Sequence, residues 1–99
     1  MIVLAGTIRI APGKRDAALP HIRAIVAASR AELGCLDYSF AFDVNDDHLV
    51  HIFEVFRDLE AREAHRSMPH MKVWRESWAD AGIGDRQMRE YAVTSSKDI

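Results

Sequence analysis

The sequence predicts a small α+β domain of the ferredoxin-like kind, with a four-stranded antiparallel sheet carrying both helical regions on one face. Two observations carry that expectation. Runs of β-branched and aromatic residues with period two stand at 2–11, 35–43, 48–56 and 86–94. Segments of helical period separate the first run from the second and the third from the fourth, giving the order strand, helix, strand, strand, helix, strand.

The first run, Ile2 to Ala11, closes at Pro12-Gly13, and its even positions Ile2, Leu4, Gly6, Ile8 and Ile10 form the drier face. Residues 14–33 then change period. Ala18, Ile22, Ile25, Val26, Ser29 and Leu33 make an apolar stripe, with Pro20 confined to the first turns and Gly34 expected as the C-terminal cap. Tyr38, Phe40 and Phe42 alternate with smaller or polar residues, and Asn45-Asp46-Asp47 turns the chain into the next strand, which makes a hairpin. Asp58 is placed to cap a short helix carrying Leu59, Ala61, Ala64 and His65. Pro69 requires that helix to break and restart, after which Met71, Trp74 and Trp78 mark a second stripe ending at Gly82 and Gly84. Both faces of the hairpin strands are too apolar for water, so a second copy of the chain is expected to cover the face that the helices leave bare.

The 99-residue length admits one domain, 1–99, with 95–99 expected as a frayed tail. Thirteen Lys and Arg residues against fifteen acids give a net charge of −2, which argues against nucleic acid as a partner. Cys35 stands alone and forms no internal disulfide. The short apolar start Ile2-Val3-Leu4 has no basic flank, so neither a signal peptide nor a membrane span is expected, and the cytoplasm is the default location. The five glycines form no phosphate-cradling loop, so no flavin or dinucleotide fingerprint is present.

Several local patterns coincide with one family. Ser29-Arg30-Ala31-Glu32-Leu33-Gly34-Cys35-Leu36-Asp37-Tyr38 resembles the helix-to-strand joint of antibiotic biosynthesis monooxygenase domains. Glu54 through His65, with Phe56, Asp58, Glu60, Ala61 and His65 in register, is similar to their second signature. Pro12-Gly13-Lys14 matches the end of their first strand, and Ser67-Met68-Pro69-His70 resembles the quinol monooxygenase branch. The resemblance implies a dimeric α+β barrel, two sheets face to face, and oxygenation of an aromatic quinol by O2 with neither metal nor flavin. Other branches degrade haem or isomerise small phosphorylated carbonyl compounds. The haem-degrading branch carries an asparagine on the first strand where this chain has Gly6.

Within that frame His65 is the first candidate for catalysis, because imidazole titrates nearest neutrality and suits removal of a phenolic proton. The bland alternative is a buried histidine tying helix to strand. Glu54 sits on an apolar strand face and needs a partner, for which His65 and Arg30 are candidates; it either supports the imidazole or forms a structural ion pair. His70 opens the second helical piece, at a cavity mouth or in solvent. Trp74, Tyr38 and Phe40 suit an aromatic wall for a flat substrate, or simply core. Arg9 either binds an anionic substrate or pairs with Glu90; Lys72 is the other cation an isomerase would use. His48, His51 and His21 are expected to be structural or at the surface, Cys35 a small buried hydrophobe, and no metal site is expected from His65 and His70 alone. The leading expectation is a cofactor-independent quinol monooxygenase. The rivals are the isomerase and a non-catalytic small-molecule-binding dimer.

Overall fold

The computed structural model describes residues 1–99. The elements run β1 (Ile2–Ile10), α1 (Arg15–Arg30), β2 (Cys35–Asp43), β3 (Asp46–Phe56), α2 (Leu59–Arg66), α3 (Pro69–Ala81) and β4 (Ile83–Ala92). The strands form one antiparallel sheet in the order β2-β3-β1-β4, which is the ferredoxin-like α+β arrangement. No helix is long and apolar enough to cross a membrane.

The alternation of β1 sets which side is inside. Ile2, Leu4, Ile8 and Ile10 are all buried, and they pack with Ala18, Ile22 and Ile25 of α1 and Trp74 of α3. β3 contributes Val50, Ile52 and Phe56 to the same face, and β2 contributes Tyr38. The inner rows of the sheet follow from its register. One row reads Tyr38, Glu54, Leu4, Glu90 and the next Phe40, Ile52, Gly6, Met88. Any side chain at Gly6 would drive its Cβ into the backbone of Gln87 and Met88, so the first strand has no room for the asparagine of the haem-degrading branch.

The helix boundaries have local causes. Asp58 caps α2, its side chain accepting from the Ala61 N–H at 2.8 Å. Pro69 opens α3 at a position where no N–H is needed, which is why the helical run breaks at Ser67-Met68. Gly82 ends α3 with φ 68°, a left-handed conformation that glycine adopts at little cost, and its carbonyl accepts from the Ala11 N–H at 2.7 Å.

Four local expectations are corrected. α1 ends at Arg30, with Ala31 as its cap, so Leu33 is off the apolar stripe and 93% exposed. Gly34 is not a left-handed cap; a Cβ there would collide with that of Ala61, so glycine permits α2 to approach the α1–β2 turn. β4 begins at Ile83 rather than at residue 86. Ala64 faces solvent, although Ala61 and His65 turn inward as expected.

The outer face of the sheet carries no helix. Val3, Ala5, Phe53, Val55 and Tyr91 form an apolar strip there, with Phe53 44% and Tyr91 45% exposed. Thr7, His51, Gln87 and Arg89 make the remainder polar, and His51 pairs with Asp43 at 2.8 Å.

Candidate functional site

The inner sheet face and the helices do not meet everywhere. Between α2, α3 and the inner rows of the sheet lies a cavity of about 550 Å³, a volume ordinary for a small-molecule site. Leu4, Ile52, Met71 and Met88 line it beside the aromatic groups, and Glu54 and His65 stand in its wall.

The aromatic wall is continuous. Tyr38 stacks on Phe40 at 5.5 Å, Phe40 meets the edge of Trp74 at 5.7 Å, and Trp74 meets Trp78 at 5.6 Å. His65 lies 5.5 Å from the Tyr38 ring and 4.9 Å from Phe56. Trp78 and Tyr38 also bring polar ends. Burial, with the Glu54 charge adding to it, holds the Tyr38 hydroxyl far above its usual range, so it stays protonated.

His65 reaches the cavity because of the Gly34–Ala61 contact. With no Cβ at residue 34, α2 settles against the α1–β2 turn, and His65, one turn after Ala61, comes over Glu32 of that turn. The Arg57 N–H donates to the Gly34 carbonyl at 2.9 Å and fixes the same junction from β3. The result is a pair of hydrogen bonds on one carboxylate oxygen. His65 Nδ1 lies 2.7 Å from Glu32 Oε2, and His70 Nε2 lies 2.6 Å from the same atom. An ionised carboxylate only accepts, so each imidazole nitrogen facing it carries the proton. His65 Nε2 is then left with a lone pair.

That lone pair looks toward Glu54, whose Oε1 is 3.8 Å away, too far for a hydrogen bond but close enough for charge to act on charge. Burial raises the Glu54 carboxyl to about 7 despite the opposing guanidiniums of Arg62 and Arg86, with the Glu32 charge adding to the rise. Burial lowers His65 below its usual value, against the Glu32 hydrogen bond that favours the charged form. The site therefore holds a neutral imidazole beside a carboxyl near its midpoint at neutral pH.

Of the residues singled out in the sequence, His65, Glu54, Trp74, Tyr38 and Phe40 meet at this one cavity. His70 does not line it, but joins it through Glu32. Arg9 lies elsewhere, paired with Asp46 at 3.0 Å and Asp85 at 3.7 Å, and Glu90 is bound instead by Arg62 at 3.2 Å. Lys72 is exposed, 3.9 Å from Glu76. Arg30 is not a partner of Glu54; its Nε donates to the Tyr38 carbonyl at 2.9 Å and ties α1 to β2. Cys35 is half-buried, its thiol raised to about 11 by burial and the charges of Glu32 and Glu54, which makes it a poor nucleophile.

Sequence reasoning missed Glu32 and the arginines. In the sequence Glu32 reads as a charge off the apolar stripe of α1 and as part of the Ser29–Tyr38 joint, although its carboxylate lies 2.7 Å from His65 Nδ1. Glu32, His65 and His70 bring three ligand-type atoms within 4.8 Å of one another. Ligand atoms about 2.1 Å from a zinc ion stand roughly 3.4 Å apart in a tetrahedron. The shorter separations here suit two N–H donors on one acceptor.

Comparison with known proteins agrees with this fold. A candidate antibiotic biosynthesis monooxygenase from Deinococcus radiodurans superposes with a TM-score of 0.91, covering 100% of this chain and 98% of that one at 21% identity, which speaks for the fold alone. The crystal structure of PA3566 from Pseudomonas aeruginosa is similar at 33% identity and a TM-score of 0.84, covering 95% of this chain and 94% of the other. An uncharacterized Synechocystis protein is 28% identical over 98 residues, 99% of this chain and 67% of its own length. Residues 1–77 match the family described as antibiotic biosynthesis monooxygenase, and the chain belongs to that family.

Proposed function

We propose that this protein is a cofactor-independent monooxygenase that oxidises a quinol-like dihydroxy aromatic with O2. Family membership supports monooxygenase-like chemistry. The observation that carries the finer reading is the placement of His65, whose Nδ1 lies 2.7 Å from Glu32 Oε2 while its ring stands in the wall of an aromatic-lined cavity.

In this reading His65 Nε2 takes a proton from a substrate hydroxyl. Glu54, when ionised, stabilises the imidazolium across 3.8 Å. The electron-rich aryloxide passes one electron to O2, and the aryloxyl radical, through spin on a ring carbon, joins superoxide in a new C–O bond. The O–O bond then breaks. One oxygen remains on the ring as a carbonyl, the other leaves as water, and all four electrons come from the substrate. The apolar wall of Leu4, Ile52, Trp74 and Met88 keeps bulk water from the radical pair.

Oxygen consumption with 1,4-naphthohydroquinone tests the reading. Enzyme-dependent uptake that yields one hydroxynaphthoquinone per O2, and that is lost in His65→Ala, supports it. Uptake that persists in His65→Ala, or that is absent with every quinol, overturns it.

The outer apolar strip supports a homodimer as the working form, with a second copy covering Phe53 and Tyr91. Sedimentation should give a dimer, and Phe53→Glu should shift it toward the monomer; a wild-type monomer at micromolar concentration contradicts this.

A further inference from the structure

The cavity is lined by hydrogen-bond donors that lack a partner within the protein. Four arginines line it, and two are already engaged: Arg62 with Glu90 at 3.2 Å and Arg66 with Glu63 at 3.4 Å. Arg75 of α3 and Arg86 of β4 are exposed and make no ion pair within 4 Å, Arg86 acting on Glu54 only at longer range. Trp78, one turn after Arg75 on the same helix, carries a buried indole N–H that donates to no atom of the protein. A buried donor left unpaired is costly, and the cavity that holds this one is also lined by two guanidiniums without an ion pair, which together favour an acceptor from outside. The only carboxylate lining the cavity is Glu54, and burial keeps it half-protonated near pH 7.

From this we infer that the substrate is a hydroxylated aromatic carrying a negatively charged substituent, a carboxylate or a group of like charge, received by Arg75, Arg86 and the Trp78 N–H. The inference rests on the proposed function for the hydroxyl at His65 but adds the second anchor. A planar guanidinium matches the two oxygens of a carboxylate, and an indole N–H adds a single directed bond. The aromatic wall from Tyr38 to Trp78 takes the ring between the two anchors. The pairing also fixes orientation, because an anion at the arginines presents the ring hydroxyl toward His65 rather than away from it. A neutral quinol has no such preference.

Binding can be read without turnover. Quenching of Trp74 and Trp78 fluorescence by 6-hydroxy-2-naphthoate, whose two groups stand at opposite ends of the ring system, is compared with quenching by 2-naphthol, which lacks only the carboxylate. The naphthoate should bind about tenfold more tightly, the scale of one charge-assisted hydrogen bond, and should weaken as salt is added. In Arg75→Gln/Arg86→Gln, folded by circular dichroism, that ratio should fall to about twofold or less. Trp78→Phe, which keeps a ring and removes the donor, should lower the ratio several-fold. Equal binding of the two ligands to the wild type overturns the inference, as does an undiminished ratio in the double variant. So does tighter binding of dihydroxyacetone phosphate than of the naphthoate, which would make the ligand a small phosphorylated carbonyl compound instead. If arginine-dependent naphthoate binding is found while no quinol consumes oxygen, the anion site stands and the monooxygenase reading falls. If naphthohydroquinone is turned over while the two naphthalenes bind alike, the reverse holds.

Discussion

The inner face of the sheet has two ends, and they are built by different rules. Under α1, Ile8, Ile10, Ala18, Ile22, Ile25 and Val50 pack closely, each 6% exposed or less, and the groove of about 510 Å³ between α1 and β2 is lined by apolar side chains and arginines, with no carboxyl or imidazole. Under α2 and α3 the same sheet face carries Glu54 between Tyr38 and Leu4, the helix above supplies His65, and a hollow of about 550 Å³ remains. The first end gains stability from dispersion and from apolar surface taken out of water. The second forgoes part of that gain, holding a carboxyl and an imidazole out of solvent where each is driven toward its neutral form. Binding chemistry is thus separated from the part of the core that keeps the chain folded.

Four substitutions break or sharpen this contrast. The largest effect is expected at the hollow end. His65→Ala should lower kcat/KM for quinol oxidation by a factor of about 10² to 10⁴, the usual contribution of a general base, with a native circular dichroism spectrum. Ile25→Ala at the α1 end should do the opposite. It should cost about 2–5 kcal/mol of unfolding free energy in urea titration, yet leave kcat/KM nearly unchanged below the unfolding transition. If both variants lose activity and stability in parallel, the two ends are not separable.

Glu54→Gln is smaller and opposite in sign. A carboxyl raised from about 4.5 to about 7 in the folded state opposes folding when it ionises. Its stabilising influence is present below its ordinary value and is lost as pH rises through 7. The variant should therefore gain up to about 3 kcal/mol over the wild type at pH 8 and little at pH 4. His65 acts the other way, since a lowered histidine gives stability that is present above its ordinary value and lost as pH falls below it. Activity should rise with pH through the neutral range in the wild type as His65 becomes neutral and Glu54 charged, and Glu54→Gln should lose the limb near 7. Smallest is Asp58→Ala, which removes one α2 cap and should cost about 1 kcal/mol, seen as a lower urea midpoint.

The sequence resolved the α1 end better than the end under α2 and α3, and the reason is physical. Alternation along β1 and the 3.6 period of α1 are local signals, and they placed Ile2 through Ile10 and Ala18 through Ile25 correctly. Pro69 and Asp58 are equally local, and the break and the cap lie where those residues put them. Gly34 was read as a cap because that is the commonest use of glycine after a helix. Its actual use, a close approach to Ala61, depends on a segment 27 positions away that periodicity cannot see. The partnership of Glu32 with His65 spans 33 residues and that with His70 spans 38, so face assignment predicted that the histidine turns inward but not what holds it. Arg75 and Arg86 likewise look like ordinary solvated charges until the fold brings α3 and β4 around one cavity.

The central claim is that Glu32 holds His65 as a neutral base with its proton on Nδ1. Nitrogen-15 NMR of the imidazole, followed from pH 5 to 8, reads both the tautomer and the titration directly. The account predicts a proton on Nδ1, a lone pair on Nε2 and a midpoint below the ordinary histidine value. A proton on Nε2 of the neutral ring, or an imidazolium that persists above pH 7, would contradict it.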